Sequence, residues 1–357
     1  MKTLTETPTQ MLTQTPTQVP TLFPSCIGGG PRLGLGGAPL GNLFAPVGDV
    51  AARALLDAAW DSGCRSFDTA PHYGHGLAER RLGAALRERP REAFALASKV
   101  GRLLTPNAQA ARAQHGFVDI PPFDQHWDYS AAGTRRSVED SLQRLGLARL
   151  DVAHVHDPDA ANHGDAAPRV LRQVIDETLP VLREMQREGT VGAVGLGVNE
   201  VAVALAVLRE APLDALLLAG RYSLLDHTAL TELLPLCQAL GVQVALGGVF
   251  NSGLLAIGTK AGTGTNAARF DYAPAAREWL DRTARIEAQC DCFGVPLRAA
   301  ALQFALAYPA VAVVLLGARS AAEWHDAQAM LRVPIPPEYW QALRGQGLLP
   351  DAAPTPT

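Results

Sequence analysis

Five side chains with acid–base chemistry fall at or just past the ends of apolar runs. FDTAPHYGHG places Asp68 at the close of one run and Tyr73 five residues on. ALASKVG ends a second run on Lys99, and LDVAHVHDPD ends a third on His154 and His156. The two histidines are two apart, so a strand presents them on one face, and His156 lies nearer its end. A phenol ionises near pH ~10 and is a poor base at neutral pH. An adjacent ammonium favours the phenolate, so Lys99 beside Tyr73 is expected to lower its pKa, with Asp68 holding Lys99 in place. A neutral His156 would hydrogen-bond the reacting oxygen. Each residue also has a structural reading: Asp68 as a helix cap, Tyr73 as a loop aromatic. Lys99 is the hardest to assign that way, because an apolar strand rarely ends in a lysine without a partner.

These residues need elements to bring them together, and the chain supplies a repeat. From about residue 33, short apolar runs alternate with segments of helical periodicity. LGLGG precedes DVAARALLDAAWDS, which has Asp49 as its expected N-cap; CRSFDTA precedes AERRLGAALRE; AFALASKV and LDVAHVH follow. A polar stretch over about 102–130 interrupts the pattern. SVEDSLQRLG reads as a helix, and PRVLRQVIDETLPVLREMQREG as a long one interrupted near Pro180. The runs at 192–198, 213–219, 242–247 and 311–316 are almost continuously apolar, as in parallel strands covered on both faces. Helices are expected near 200–210, 227–240, 274–292, 297–307, 320–331 and 337–346. Eight strand–helix units predict a closed (β/α)8 TIM barrel, with a doubly wound sheet as the alternative. In such a barrel, residues at the carboxyl ends of strands share one mouth.

Two glycine pairs resemble dinucleotide fingerprints. Gly34-x-Gly36 and Gly195-x-Gly197 both lack the third glycine, its place being taken by Pro39 and Glu200, so a Rossmann site is not expected. The 357 residues are 48% hydrophobic and 18% charged, enough for a large core. A net charge of −4 gives no footprint for nucleic acid, and no apolar run is long enough to span a membrane. Residues 1–25 are Thr/Pro/Gln-rich with no secretory pattern, and are expected to be a disordered tail; 26–347 form one barrel, and 348–357 a flexible tail. Cys26, Cys64, Cys237, Cys290 and Cys292 match neither a disulfide framework nor a metal site, so reduced thiols and a cytoplasmic location are expected.

The segments FDTAPHYGHGLAERRLG, RRSVEDSLQRLGLARLDVAHVHDPD, VGLGVNE, LAGRYSLLDH and GVFNSGLLA resemble the aldo-keto reductase superfamily over about residues 33–331. The forms HVHDPD and GVFNSG resemble its bacterial branch containing L-fucose dehydrogenase (D-threo-aldose 1-dehydrogenase) and pyridoxal 4-dehydrogenase. The resemblance implies a barrel binding NAD or NADP across its mouth, with Asp68, Tyr73, Lys99 and His156 as its catalytic tetrad. It implies cofactor contacts at Gly37, at Gly248, Phe250, Ser252 and Gly253 of GVFNSGLL, and at Gly317, Arg319 and Glu323 of GARSAAEW. The match is uneven at the nicotinamide. The family's Ser-Asn after strand five aligns with Gly197 and Val198, leaving Asn199 as a displaced candidate. Its glutamine at the end of strand six aligns with Ala219, and its stacking aromatic from strand seven with Gly247.

The expected activity is NAD(P)-dependent oxidation of an aldose, L-fucose or a related D-threo-aldose, at C1 to the lactone. The alternatives are pyridoxal 4-dehydrogenase and a low-turnover regulatory protein that binds the cofactor. HWDYS brings His126, Trp127 and Tyr129 as candidates for the sugar, and 102–130 and 251–272 are expected to be mobile substrate and cofactor loops. Glu323 stands where NADP-using relatives carry an arginine, which favours NAD; Arg319 works the other way.

Overall fold

In the computed structural model the described residues are 21–24, 32–259 and 268–356. Eight parallel strands close a barrel: β1 Leu33–Gly36, β2 Ser66–Asp68, β3 Ala95–Val100, β4 Leu150–His156, β5 Val191–Val198, β6 Ala215–Ala219, β7 Gln243–Gly247 and β8 Val311–Gly317. Each pairs with its neighbours in sequence, and β1 closes the ring on β8 with Leu33 opposite Val314. The doubly wound alternative is thereby excluded.

The strands are buried on both faces because helices cover the outside and side chains fill the inside. The inward column is readable from the alternation of each strand. Ala97, Val152, Ala193, Ala215, Leu217, Ala245, Val313 and Leu315 pack together in the lower interior. Two residues further along the same faces come Lys99 on β3, His154 on β4 and Gly195 on β5. Thus the strands that build the core also carry the polar groups to the mouth.

Several boundaries differ from expectation, each for a local reason. The first helix, Asp49–Asp61, has Gly48 as its cap, with Asp49 one residue inside. The helix expected from 227 starts at Leu233, because Ser223 and Asp226 hold the preceding residues in turns. In the long helix, Pro180 has no N–H to give to residue 176, and the chain widens into a π turn over Val174–Thr178. The polar stretch after β3 is not an open loop. Residues Arg102–Pro106 pair antiparallel with Phe123–Trp127, and a smaller hairpin lies between them.

The ends also depart from the expected tails. Phe23, 3% exposed, plugs the lower barrel interior; Leu22 donates its N–H to Gln243 Oε1, and Ser66 Oγ donates to the Pro24 carbonyl. At the other end Leu348, Leu349 and Ala353 are buried, and Arg344 donates to the Ala353 carbonyl and to Thr355 Oγ1. Cys26 and residues 260–267 of the expected 251–272 loop lie outside the described residues. Among the described cysteines, Cys237, Cys290 and Cys292 are free thiols, and no described helix is long and apolar enough to cross a membrane.

Candidate active site

Lys99 and Asp68 form a pair buried at the mouth. Nζ donates to Asp68 Oδ1 at 2.6 Å and to the Thr69 carbonyl at 2.9 Å, and both side chains are almost fully enclosed. Burial pushes the Asp68 carboxyl up, and Lys99 opposes that rise. Tyr73 sits above the pair, in the turn that leads from β2 to the helix Leu77–Leu86. Gly41 and Gly74 let that turn come close: a Cβ on Gly74, at φ +63, would overlap the Gly41 backbone. His156, at the end of β4, meets the Tyr73 ring edge-on, with centroids 6.1 Å apart and planes at 87°. The expected tetrad is therefore assembled, from the ends of β2, β3 and β4.

Its electrostatics differ from expectation. Lys99 approaches the Tyr73 ring, with Nζ 4.6 Å from the centroid. Burial pushes the Tyr73 hydroxyl well above the usual phenol range; Asp68 and Asp157 add to the rise, and Arg102 opposes it. Lys99, whose ammonium is engaged by Asp68, does not offset that rise, contrary to the expected lowering. His156 is held well below its ordinary pKa by burial, then by the charges of Arg102 and Lys99, so it is a neutral imidazole at pH 7. His154, deeper in the barrel, is driven down to about 3 by burial and Lys99. Its ring fits because β5 carries Gly195, where any side chain would overlap it.

Arg102 carries no local signal in the sequence, being part of the polar stretch. It is 4% exposed and forks to His156 Nδ1 at 2.6 Å and Asp157 Oδ2 at 2.9 Å. Trp127 covers the guanidinium, 3.8 Å from the ring centroid, as the hairpin register that pairs the two residues requires. His126 is exposed and is not brought in: it alternates with Gln125 and Trp127, whose faces turn toward His72 and Arg102. His72 and Phe117, rings 5.2 Å apart and perpendicular, add an aromatic wall beside Tyr73.

Beside the tetrad, the inward positions at the tops of β5, β6 and β7 are Gly197, Ala219 and Gly247. A Cβ on Gly197 would touch His154 and Lys99 at 3.5–3.7 Å, and one on Gly247 would meet the Ala219 Cβ at 3.5 Å. The three strand ends therefore carry little or no side-chain bulk, and the buried Asp68 Oδ2 and Thr69 Oγ1 have no hydrogen-bond partner among the described residues. Asn199 follows β5, and the Tyr272 hydroxyl reaches its side chain. Tyr272 is likewise a site residue that local sequence does not mark; it sits in a tight hairpin, Arg269–Phe270 against Ala273–Pro274, which Asp271 ties to Arg221.

The remaining cofactor candidates line the rim. Gly248 and Gly253 adopt φ +63 and +99, and a Cβ on Gly253 would meet nothing within 4 Å. Between them Phe250 packs on the core, and Ser252 Oγ accepts from the Tyr272 N–H. Asn251 ties this loop to Ser223 at 2.6 Å. Gly37 donates to the Asp68 carbonyl, and Gly317 opposes Gly36 where β8 ends. Arg319 and Glu323, expected to compete, bind each other: the Arg319 N–H donates to Glu323 Oε2 at 2.9 Å, and the guanidinium lies 3.5 Å from Oε1.

A profile of the Aldo/keto reductase family matches residues 32–346. The chain is 43% identical to pyridoxal 4-dehydrogenase of Microbacterium luteolum, over 89% of this chain and 94% of that one. It is 38% identical to D-threo-aldose 1-dehydrogenase of a Pseudomonas species, over 90% and 95%. Among solved structures, an aldo-keto reductase from Bacillus halodurans in its holo form aligns with a TM-score of 0.67 at 26% identity, covering 89% of this chain and 92% of that one.

Proposed function

The chain belongs to the aldo/keto reductase family of oxidoreductases, and from that premise we propose that it oxidises a cyclic hemiacetal to the corresponding lactone. The observation that carries this reading is the perpendicular pair of Tyr73 and His156 above the buried Lys99–Asp68 pair. A proton-transferring hydroxyl and a neutral imidazole on neighbouring rings are the groups such a reaction needs around one oxygen. The hemiacetal hydroxyl is placed between them. Tyr73 takes its proton in oxidation and returns one in reduction. His156 donates a hydrogen bond to the same oxygen and fixes its direction. Lys99 and Asp68 hold the floor under the Tyr73 ring, and Trp127 shields the site from water.

NAD or NADP, when bound, supplies the hydride acceptor. Asn199, the small residues Gly197, Ala219 and Gly247, and the rim at Gly37, Gly248, Phe250, Ser252, Gly253, Gly317, Arg319 and Glu323 are the residues that would hold it. NAD is the cofactor proposed, because Glu323 engages the one nearby guanidinium named for a 2′-phosphate.

The substrate proposed from the sequence is an aldose such as L-fucose, oxidised at C1. The wall of His72 and Phe117 favours a second substrate of the same class, the flat cyclic hemiacetal of pyridoxal. Steady-state rates with NAD and a panel of aldoses plus pyridoxal test both. Turnover of aldoses alone assigns the sugar reading, and turnover of pyridoxal alone replaces it. Absence of turnover with every member, in either direction, overturns the hemiacetal proposal.

A further inference from the structure

We propose that Arg102 is a positioning residue that locks His156 in its Nε2–H tautomer, so that His156 acts as a hydrogen-bond donor and not as an acid. This rests on the proposed placement of His156 against the reacting oxygen. A guanidinium has donors and no acceptor. Its Nη1 lies 2.6 Å from His156 Nδ1, so that nitrogen must present its lone pair, and the ring proton is left on Nε2. The lock is rigid on every side. Arg102 Nη2 donates to Asp157 Oδ2 at 2.9 Å and to Asn162 Oδ1 at 3.4 Å. Trp127 lies over the guanidinium, and His163 packs against Trp127 at 4.4 Å. Tyr129 donates its hydroxyl to the His156 carbonyl at 2.6 Å, which pins the backbone as Arg102 pins the ring.

The surrounding charges act in the same direction. His156 faces Arg102 and Lys99 after and on β3, neutral His72 and Tyr73 from the turn after β2, and neutral His154 on its own strand. The anion that could stabilise an imidazolium is Asp157, with Oδ2 3.3 Å from Nε2. That oxygen is already paired with Arg102. Loss of Arg102 therefore does two things together: it removes the donor that fills Nδ1, and it releases Asp157 to pair with a charged ring.

The test is two-bond 1H–15N NMR of histidine-labelled protein without cofactor or substrate, across pH 5–8, with the His156 signals assigned by their loss in His156→Asn. The expected result is a wild-type His156 with a bare Nδ1 and a protonated Nε2 that does not titrate. In Arg102→Met the ring titrates or changes tautomer. In Arg102→Lys, which keeps the cation, it stays neutral. The pH profile of reduction, which is flat in the wild type, follows the same division: Arg102→Met gains a midpoint where the His156 ring titrates while KM changes little, and Arg102→Lys stays flat. A protonated Nδ1, or a titrating ring, in the wild type overturns the proposal. So does a Met variant with the wild-type tautomer and pH profile. If Arg102→Met does not fold, the wild-type and Lys spectra decide. The spectra need no substrate, so failure of the tautomer lock and failure of the hemiacetal reaction are separately detectable.

Discussion

Lys99 supports Tyr73 from beneath: its ammonium lies 4.6 Å from the centre of the phenol ring, while its donors go to Asp68 and Thr69. The cation therefore acts on the ring face, where an aromatic quadrupole attracts it, and its charge is balanced by a carboxylate. Burial, with Asp68 and Asp157, keeps Tyr73 a protonated phenol in the free protein and sets the direction of the pH dependence.

Replacing Tyr73 by Phe keeps the ring contacts with Lys99, Phe117 and His156 and removes the hydroxyl. The loss of kcat should be ~10²–10⁴-fold, the range of a general acid–base group. Cofactor binding, followed by quenching of tryptophan fluorescence, should be unchanged. Retention of most of the activity would remove Tyr73 from the chemistry.

The Tyr73 pKa is raised, so the hydroxyl holds its proton through the neutral range. Oxidation needs the base form, and kcat/KM should climb with pH, by about tenfold per unit, without levelling below pH 9. Reduction needs the acid form and should stay flat over the same range. Lys99→Met leaves the Asp68 carboxylate buried without its partner beside Tyr73, so oxidation should slow at every pH. A plateau near pH 7 in the wild type would show the phenol to be lowered after all.

Glu323→Gln should raise kcat/KM for NADP relative to NAD, by about tenfold. The substitution removes a carboxylate that would repel a 2′-phosphate and frees the Arg319 guanidinium to meet it. Measuring both cofactors in both proteins checks this. An unaltered ratio would place the pair outside the cofactor site.

Trp127→Ala strips the cover from Arg102 while leaving the rim at Gly248–Gly253 intact. KM for the hemiacetal substrate should rise several-fold, with the dissociation constant for the cofactor unchanged. Equal effects on both ligands would mean that the side chain stabilises the mouth as a whole.

Much of this site was legible because it follows strand logic. Asp68, Lys99 and His156 lie at the ends of apolar runs, and alternation places them on the face that points inward. Arg102 was hidden because its position depends on pairing with Trp127, twenty-five residues away, which no local pattern encodes. Tyr272 was hidden for the same reason: its place over Asn199 comes from a hairpin tied down by Arg221. Phe23 did leave a signal. Leu22 and Phe23 are adjacent apolar residues in a Thr/Pro/Gln-rich stretch, but composition averaged over 25 residues concealed them. His126 shows the opposite error, since its neighbours suggested a role that a one-residue offset on the strand removes.

Phe23 closes the barrel at the end opposite the tetrad. Lys99 and His154 therefore share their labile hydrogens with bulk solvent by way of the mouth. A ligand seated across that mouth would trap those hydrogens for as long as it stayed. Its residence time would then be recorded in the interior as delayed deuterium uptake, giving a clock for ligand release that needs no turnover.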